Sequence, residues 1–121
     1  MSHPIVHCEI GCKNSEKLKD FYAGLFGWGF QTYGNAQMFD TQVKEGMPGI
    51  NGHINALGHE PHNYVVVYVQ TDDIEASLKK VESLGGKRMI PKTEVPTMGH
   101  FAWFTDPEGT MVGLWTPMQQ G

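Results

Sequence analysis

Cysteine is scarce in this 121-residue chain, which has two, Cys8 and Cys12. They lie four residues apart in one apparent strand, about 13 Å at strand rise, so a disulfide would require the strand to end between them. Two reduced, buried thiols are the expectation. Charge is thin too, at 18% of residues, and it sums to −4 with nine Lys and Arg. Those nine are scattered, which argues against a surface that tracks nucleic-acid phosphates or docks on an anionic membrane. No apolar run reaches the length of a membrane span, and Met1-Ser2-His3-Pro4 has no signal-peptide pattern, so a cytoplasmic protein is expected. What remains is ordinary for a soluble globular protein: 40% hydrophobic residues, in a length that suits one domain with its own core.

Periodicity gives the elements. Residues 5–11 read as a strand with Ile5, His7 and Glu9 on one face and Val6, Cys8 and Ile10 on the other. Asn14 or Ser15 can cap the helix that follows. Leu18, Phe21, Tyr22, Leu25 and Phe26 recur at helical spacing and are expected in the core, and Gly27 is the stop. Residues 28–33, 37–43 and 50–56 read as three more strands, with a loop at 44–49.

After a polar linker at 57–62, in which His59 and His62 are expected to be solvated, the order repeats. Residues 64–69 form an apolar, β-branched strand. Asp72 or Asp73 caps a second helix, with Glu75 in capping-box spacing from Asp72. Ile74, Leu78, Val81 and Leu84 are its buried stripe, and Gly85-Gly86 ends it. A strand at 87–90 is broken by Pro91 and Pro96. A hairpin closes the chain, with strands at 100–104 and 111–115 around the turn Asp106-Pro107-Glu108-Gly109. The first helix superposes on the second at an offset of 59 residues, matching Ile10 to Val69, Tyr22 to Val81 and Leu25 to Leu84. The expected fold is therefore α+β, one domain of two tandem βαβββ modules at about 4–56 and 63–118.

Five phrases carry a resemblance: HCEI (Ile10 is its last residue), FYAGLFGWGF (Phe21 to Phe30), PGINGHI (Pro48 to Ile54), DDIEASLKKVESLGGK (Asp72 to Lys87) and FTDPEGTMVGLW (Phe104 to Trp115). Together the chain resembles the vicinal oxygen chelate superfamily, which includes glyoxalase I, bleomycin-resistance proteins and extradiol dioxygenases. The resemblance implies two βαβββ modules whose curved sheets form an open cup, in a homodimer. The cup would hold a divalent metal with its substrate, or a bare organic ligand. Metal-dependent members place His or Glu on the first, fourth, fifth and eighth strands. Here His7 matches on the first, and His53 is the chemically suitable ligand among Asn51, Gly52 and His53 on the fourth. Tyr64 falls where a His is expected, and Gly113 where a Glu is expected. The metal set is at best half present.

Two functional readings stand side by side. In the first, the cup binds a small organic molecule without a complete metal site, against His7, Glu9, Tyr64, Tyr68, Met111 and Trp115. Gly113 would form a flat notch between the last two. His100 joins this list if it points inward with Ala102 and Phe104; if Phe101 and Trp103 face the cup instead, His100 is surface. In the second, Zn, Ni, Mn or Fe held by His7 and His53 serves a glyoxalase-like lyase or isomerase, or a related dioxygenase, with Glu9 moving a proton. His7 alone admits three roles: general base, metal ligand, or hydrogen-bonded wall residue. Glu9 beside it is expected to raise its pKa.

Overall fold

A computed structural model of the chain describes residues 2–33, 38–42, 48–56 and 63–118, with backbone alone for 31–33 and 38–42. The elements are β1 (Ile5–Gly11), α1 (Ser15–Phe26), β2 (Gly29–Tyr33), β3 (Met38–Gln42), β4 (Asn51–Asn55), β5 (Tyr64–Gln70), α2 (Ile74–Ser83), β6 (Lys87–Val95), β7 (Gly99–Thr105) and β8 (Met111–Pro117). This is βαβββ twice, the α+β order expected from the sequence. Two compact units result: His7–Val66, and Val67 onward with the residues before His7. The boundaries fall inside β1 and β5. The expected linker, with His59 and His62, lies outside the described residues. Among the described residues no helix is long and apolar enough to cross a membrane.

Each unit builds its sheet by the same rule. In the first, β2 pairs antiparallel with β3, β3 antiparallel with β4, and β4 returns parallel to β1. In the second, β6 pairs antiparallel with β7, β7 antiparallel with β8, and β8 returns parallel to β5. A parallel return needs a long connection, and the helix and its hairpin supply it.

The helices start and stop on local chemistry. Asn14 is the N-cap of α1, its side-chain oxygen accepting from the Lys17 N–H at 3.0 Å, and Gly27 closes the helix at φ +70°. Asp73 rather than Asp72 caps α2, accepting from the Ala76 N–H at 3.0 Å. Glu75 is therefore out of capping-box register, and its carboxylate meets Arg88 at 3.2 Å while Arg88 Nε reaches Glu82 at 3.1 Å.

Around α2 the core is conventional. Ile74 and Leu78 are fully buried with Ala102 and Leu114, flanked by Val69 and Phe104, whereas Leu84, expected in the stripe, is exposed. Around α1 the expected core is overturned: Phe21, Leu25 and Phe26 are each 57% exposed. The 59-residue offset gives the reason. The inward positions of α2 are 74, 77, 78 and 81, and their counterparts in α1 are Ser15, Leu18, Lys19 and Tyr22, all buried or half-buried. Phe21 and Leu25 fall one position off that stripe, about 100° around the helix.

Strand β6 also departs from expectation, running through Pro91 to Val95. Its register against β7 shifts between Ile90 and Thr93, so Pro91 sits in a bulge where no ladder N–H is required. The turn to β7 is closed by the Met98 N–H on the Val95 carbonyl at 3.0 Å, with Pro96 second and Thr97 third at φ +66°. A β-branched residue is strained in that left-handed conformation, where Gly or Asn is favoured.

Replacing Thr97 by Gly should stabilise the protein by about 1 kcal/mol, and Leu78→Ala should cost about 2–5 kcal/mol. Urea unfolding of both variants checks this. A neutral Leu78→Ala would mean that α2 does not pack as described.

Candidate functional site

Strand alternation puts His7, Glu9 and Gly11 on one face of β1, and the parallel register sets His53 beside Glu9 and Asn55 beside Gly11 on β4. The opposite face carries Gly52 and the fully buried Ile54. Tyr64 opens β5 with its ring lying over Gly11, where any Cβ would overlap it. The bare backbone at Gly11 is what lets the phenol reach Glu9.

Glu9 is 3% exposed and is the hub. Its Oε2 accepts from the Tyr64 hydroxyl and from Asn55 Nδ2 at 3.2 Å, and its Oε1 lies 3.1 Å from His53 Nε2. Three converging donors suit a carboxylate, because a buried charge is tolerable only when its lone pairs are met. On its far side His53 places Nδ1 2.6 Å from His7 Nε2, with the ring centroids 4.8 Å apart. His53 bridges its two neighbours, one ring nitrogen on Glu9 and the other on His7. The order is thus His7 to His53 to Glu9, with Tyr64 and Asn55 converging on the same carboxylate.

The electrostatics follow from this burial. His7 is lowered from 6.5 to about 4, first by loss of hydration, then by the neighbouring His53; Glu9 raises it by less. Glu9 acts in the direction expected from the sequence, but desolvation outweighs it. Tyr64 is pushed well above its usual range by burial, then by its hydrogen bond to Glu9 and that group's charge. Cys8 and Cys12 are both free, half-buried and buried respectively, and burial raises both thiols.

The residues do not fit the metal centre that the resemblance implies. Among the described residues no three His, Cys, Asp or Glu side chains converge as ligands. His7 Nε2 and His53 Nδ1 address each other, and the second nitrogen of His53 addresses Glu9. Tyr64, standing where a His is expected, is held as a neutral phenol and is a poor ligand.

A second cluster occupies the other unit. Tyr68, 5% exposed, accepts from Trp103 Nε1 at 2.7 Å and lays its ring over Gly113. The notch expected at Gly113 is thereby filled by the protein's own tyrosine. Met111 and Trp115 alternate with the core residue Leu114 and so share the Gly113 face, both half-buried. His100 shares its face of β7 with Ala102 and Phe104, which pack against α2, while Trp103 meets Tyr68 on the other face. The structure therefore does not bring His100 together with Tyr68, Met111 and Trp115. His7, Glu9, His53 and Tyr64 it does bring together. Sequence reasoning missed Asn55, although it follows His53 by two residues and so shares its face; Trp103 on the face of Tyr68 is the alternative that the sequence offers to His100.

Two measurements probe the network. Since the folded pKa of His7 is depressed, its neutral form favours the native state: that contribution is complete above pH 6.5 and is lost as pH falls toward about 4. Unfolding free energy should therefore decline across this window, and His7→Asn should flatten the decline; an unchanged slope would sink the assignment. Tyr64→Phe removes a donor from a buried carboxylate and should cost about 1–3 kcal/mol in urea unfolding at pH 7.

Comparison with known proteins gives the lineage. The sequence profile of the Glyoxalase/Bleomycin resistance protein/Dioxygenase superfamily matches residues 4–114. CFP32 of Mycobacterium tuberculosis, which carries a provisional glyoxylase name, is 32% identical over 120 residues, covering 88% of this chain and 43% of that protein. DnrV of Streptomyces peucetius, named as an anthracycline biosynthesis protein, is 28% identical over 122 residues, covering 88% of this chain and 44% of its own length. The chain thus spans less than half the length of either relative. Among solved structures, methylmalonyl-CoA epimerase from Mycobacterium tuberculosis superposes with a TM-score of 0.65 at 10% identity, covering 95% of this chain and 88% of that one, which is a likeness of fold. With nearly its whole length matched and both βαβββ modules in place, the chain belongs to the Glyoxalase/Bleomycin resistance protein/Dioxygenase superfamily.

Proposed function

We propose that the chain binds a small organic molecule against the His7, His53 and Tyr64 wall, without a catalytic divalent cation. One observation carries this reading: His7 Nε2 and both ring nitrogens of His53 are engaged along the chain from His7 to Glu9 rather than aimed at a common point. Such a chain of hydrogen bonds fixes the ring planes of the wall, and fixed rings suit recognition of a flat ligand. Near pH 7 His7 is unprotonated and Tyr64 keeps its proton, with the carboxylate of Glu9 buried behind them. A planar, uncharged compound bearing carbonyl or hydroxyl groups matches that surface better than a phosphate or a carboxylate does. The relative named for anthracycline biosynthesis is consistent with this class, because an anthracycline is a fused, oxygenated aromatic.

The competing reading is a metal-dependent glyoxalase-like lyase or isomerase that uses His7 and His53. It requires the two imidazoles to abandon their 2.6 Å contact and a further donor to join them. The two readings separate in one set of experiments. A panel of hydroxylated quinones and flavonoids, scanned by thermal shift and then calorimetry, should yield binders. Tyr64→Phe and His7→Ala should each weaken binding by about tenfold. Elemental analysis of protein purified without chelator should show no stoichiometric transition metal. Stoichiometric metal with a matching thermal stabilisation, and no response to the panel, would reject the proposal in favour of the lyase.

A further inference from the structure

The second unit holds a slot between α2 and the face of its sheet opposite Tyr68. Val69, Phe104 and Leu114 form the floor, and Ser77, Val81 and Leu84 of α2 form a wall. The cavity measures about 410 Å³, within the range that takes a small molecule. Its lining belongs wholly to the unit of Val67 onward with the residues before His7, and it shares no residue with the Glu9 network. Ser77, Val81 and Leu84 follow one another at helical spacing, so the slot runs about 10 Å along the helix. It also gives Leu84 a reason. Helical periodicity puts that side chain in the buried stripe, yet it is 69% exposed and stands at the rim of the slot.

The two ends of the slot differ. At the C-terminal end of α2 it is closed: Gly86 packs so tightly against the Thr105 carbonyl and Val81 that a Cβ has no room, and Pro107 lies beside Gly85. Asp106 lines this end, its carboxylate held in the turn by the Glu108 and Thr110 N–H groups at 2.9 and 3.0 Å. His3 lines the opposite end. It is held near the start of α2 because the Pro4 carbonyl accepts from the Gln70 N–H at 2.9 Å. Lys80 joins it on the rim, since helical side chains lean toward the N-terminus and so carry its ammonium away from Asp106. Both are exposed, and among the described residues Lys80 has no ion pair.

We infer that this slot binds a medium-chain aliphatic carboxylic acid, its carboxylate at Lys80 and His3 and its alkyl chain directed toward Pro107. The shape favours a single chain that enters and stops, because one end is closed; a peptide would need a groove open at both. The walls are apolar side chains with no donor or acceptor for a sugar or a base, so covering them supplies the driving force. Charge sets the direction. Lys80 attracts a carboxylate at one end and Asp106 repels it from the other. One ammonium and one imidazole match a singly charged head, whereas a phosphate dianion calls for more cationic donors. The exposed ion pair adds selectivity more than strength.

The test is calorimetry of the full chain with octanoate below its micelle concentration, with octanol and octylamine as head-group controls. Wild type should bind octanoate with a Kd of about 100 μM, octanol several-fold more weakly and octylamine more weakly still. Lys80→Glu should weaken octanoate by about fivefold and leave octanol unchanged. Leu84→Ala removes part of the wall and should weaken octanoate and octanol alike, by about threefold. Both positions are exposed, so neither change threatens the fold. Tyr64→Phe should leave octanoate binding unaltered, which separates this slot from the wall that the quinone panel probes. Absence of saturable octanoate binding overturns the proposal. So does octylamine binding as tightly as octanoate, or indifference to either Lys80→Glu or Leu84→Ala.

Discussion

A buried carboxylate organises the His7–Val66 unit. Taking Glu9 out of water costs several kcal/mol before any partner is counted, and the surrounding residues are those that offset it. Tyr64, Asn55 and His53 each turn a donor to it. Their positions in turn dictate the backbone: Gly11 must be bare for Tyr64 to lie down, and β4 must pair with β1 in the one register that sets His53 and Asn55 on the same face. A slip of one residue would turn both away and strand the charge. In this way a single side chain fixes strand order, register and the orientation of the wall.

The two units reuse one device for different chemistry. In each, a tyrosine of β5 lies over a strand glycine, Tyr64 over Gly11 and Tyr68 over Gly113. Tyr64 donates a hydrogen bond to a carboxylate, whereas Tyr68 accepts one from the Trp103 indole. The second arrangement is neutral, buried and rigid, a piece of core with polar edges. The first holds charge and two imidazoles, and it is where the sequence departs from apolar packing without a structural need for it. Sites of function are expected at such departures.

Most of the fold was legible because it rests on local signals. Asn14, Gly27, the Asp72-Asp73 pair and the Asp106–Gly109 turn state the ends of elements in residue chemistry, and the offset of 59 states the repeat. What failed were inferences that need three dimensions. Phe21 and Leu25 satisfy helical spacing, yet only the comparison with α2 shows that the inward stripe begins at Ser15. Pro91 reads as a break unless the strand is known to bulge there. In the site, period-two alternation placed His7 with Glu9 and left the facing of His53 open, since that depends on pairing between strands far apart in sequence. The net shift of His7 is hidden for the same reason: the raising effect of a carboxylate two residues away is visible in sequence, and the burial that outweighs it is not.

Strand β6 ends the order β5-β8-β7-β6 in its unit, and among the described residues no strand pairs beyond it. An open strand with regular N–H and C=O rows would recruit any extended chain it met, including its own unfolded copies. Pro91 withdraws one donor from that row, the bulge around it throws the remaining ones out of step, and Lys87, Arg88 and Lys92 line the strand with positive charge. A growing stack of sheets therefore cannot nucleate there. The irregularity that makes β6 hard to recognise in the sequence is also what protects the folded protein against fibre formation along this margin.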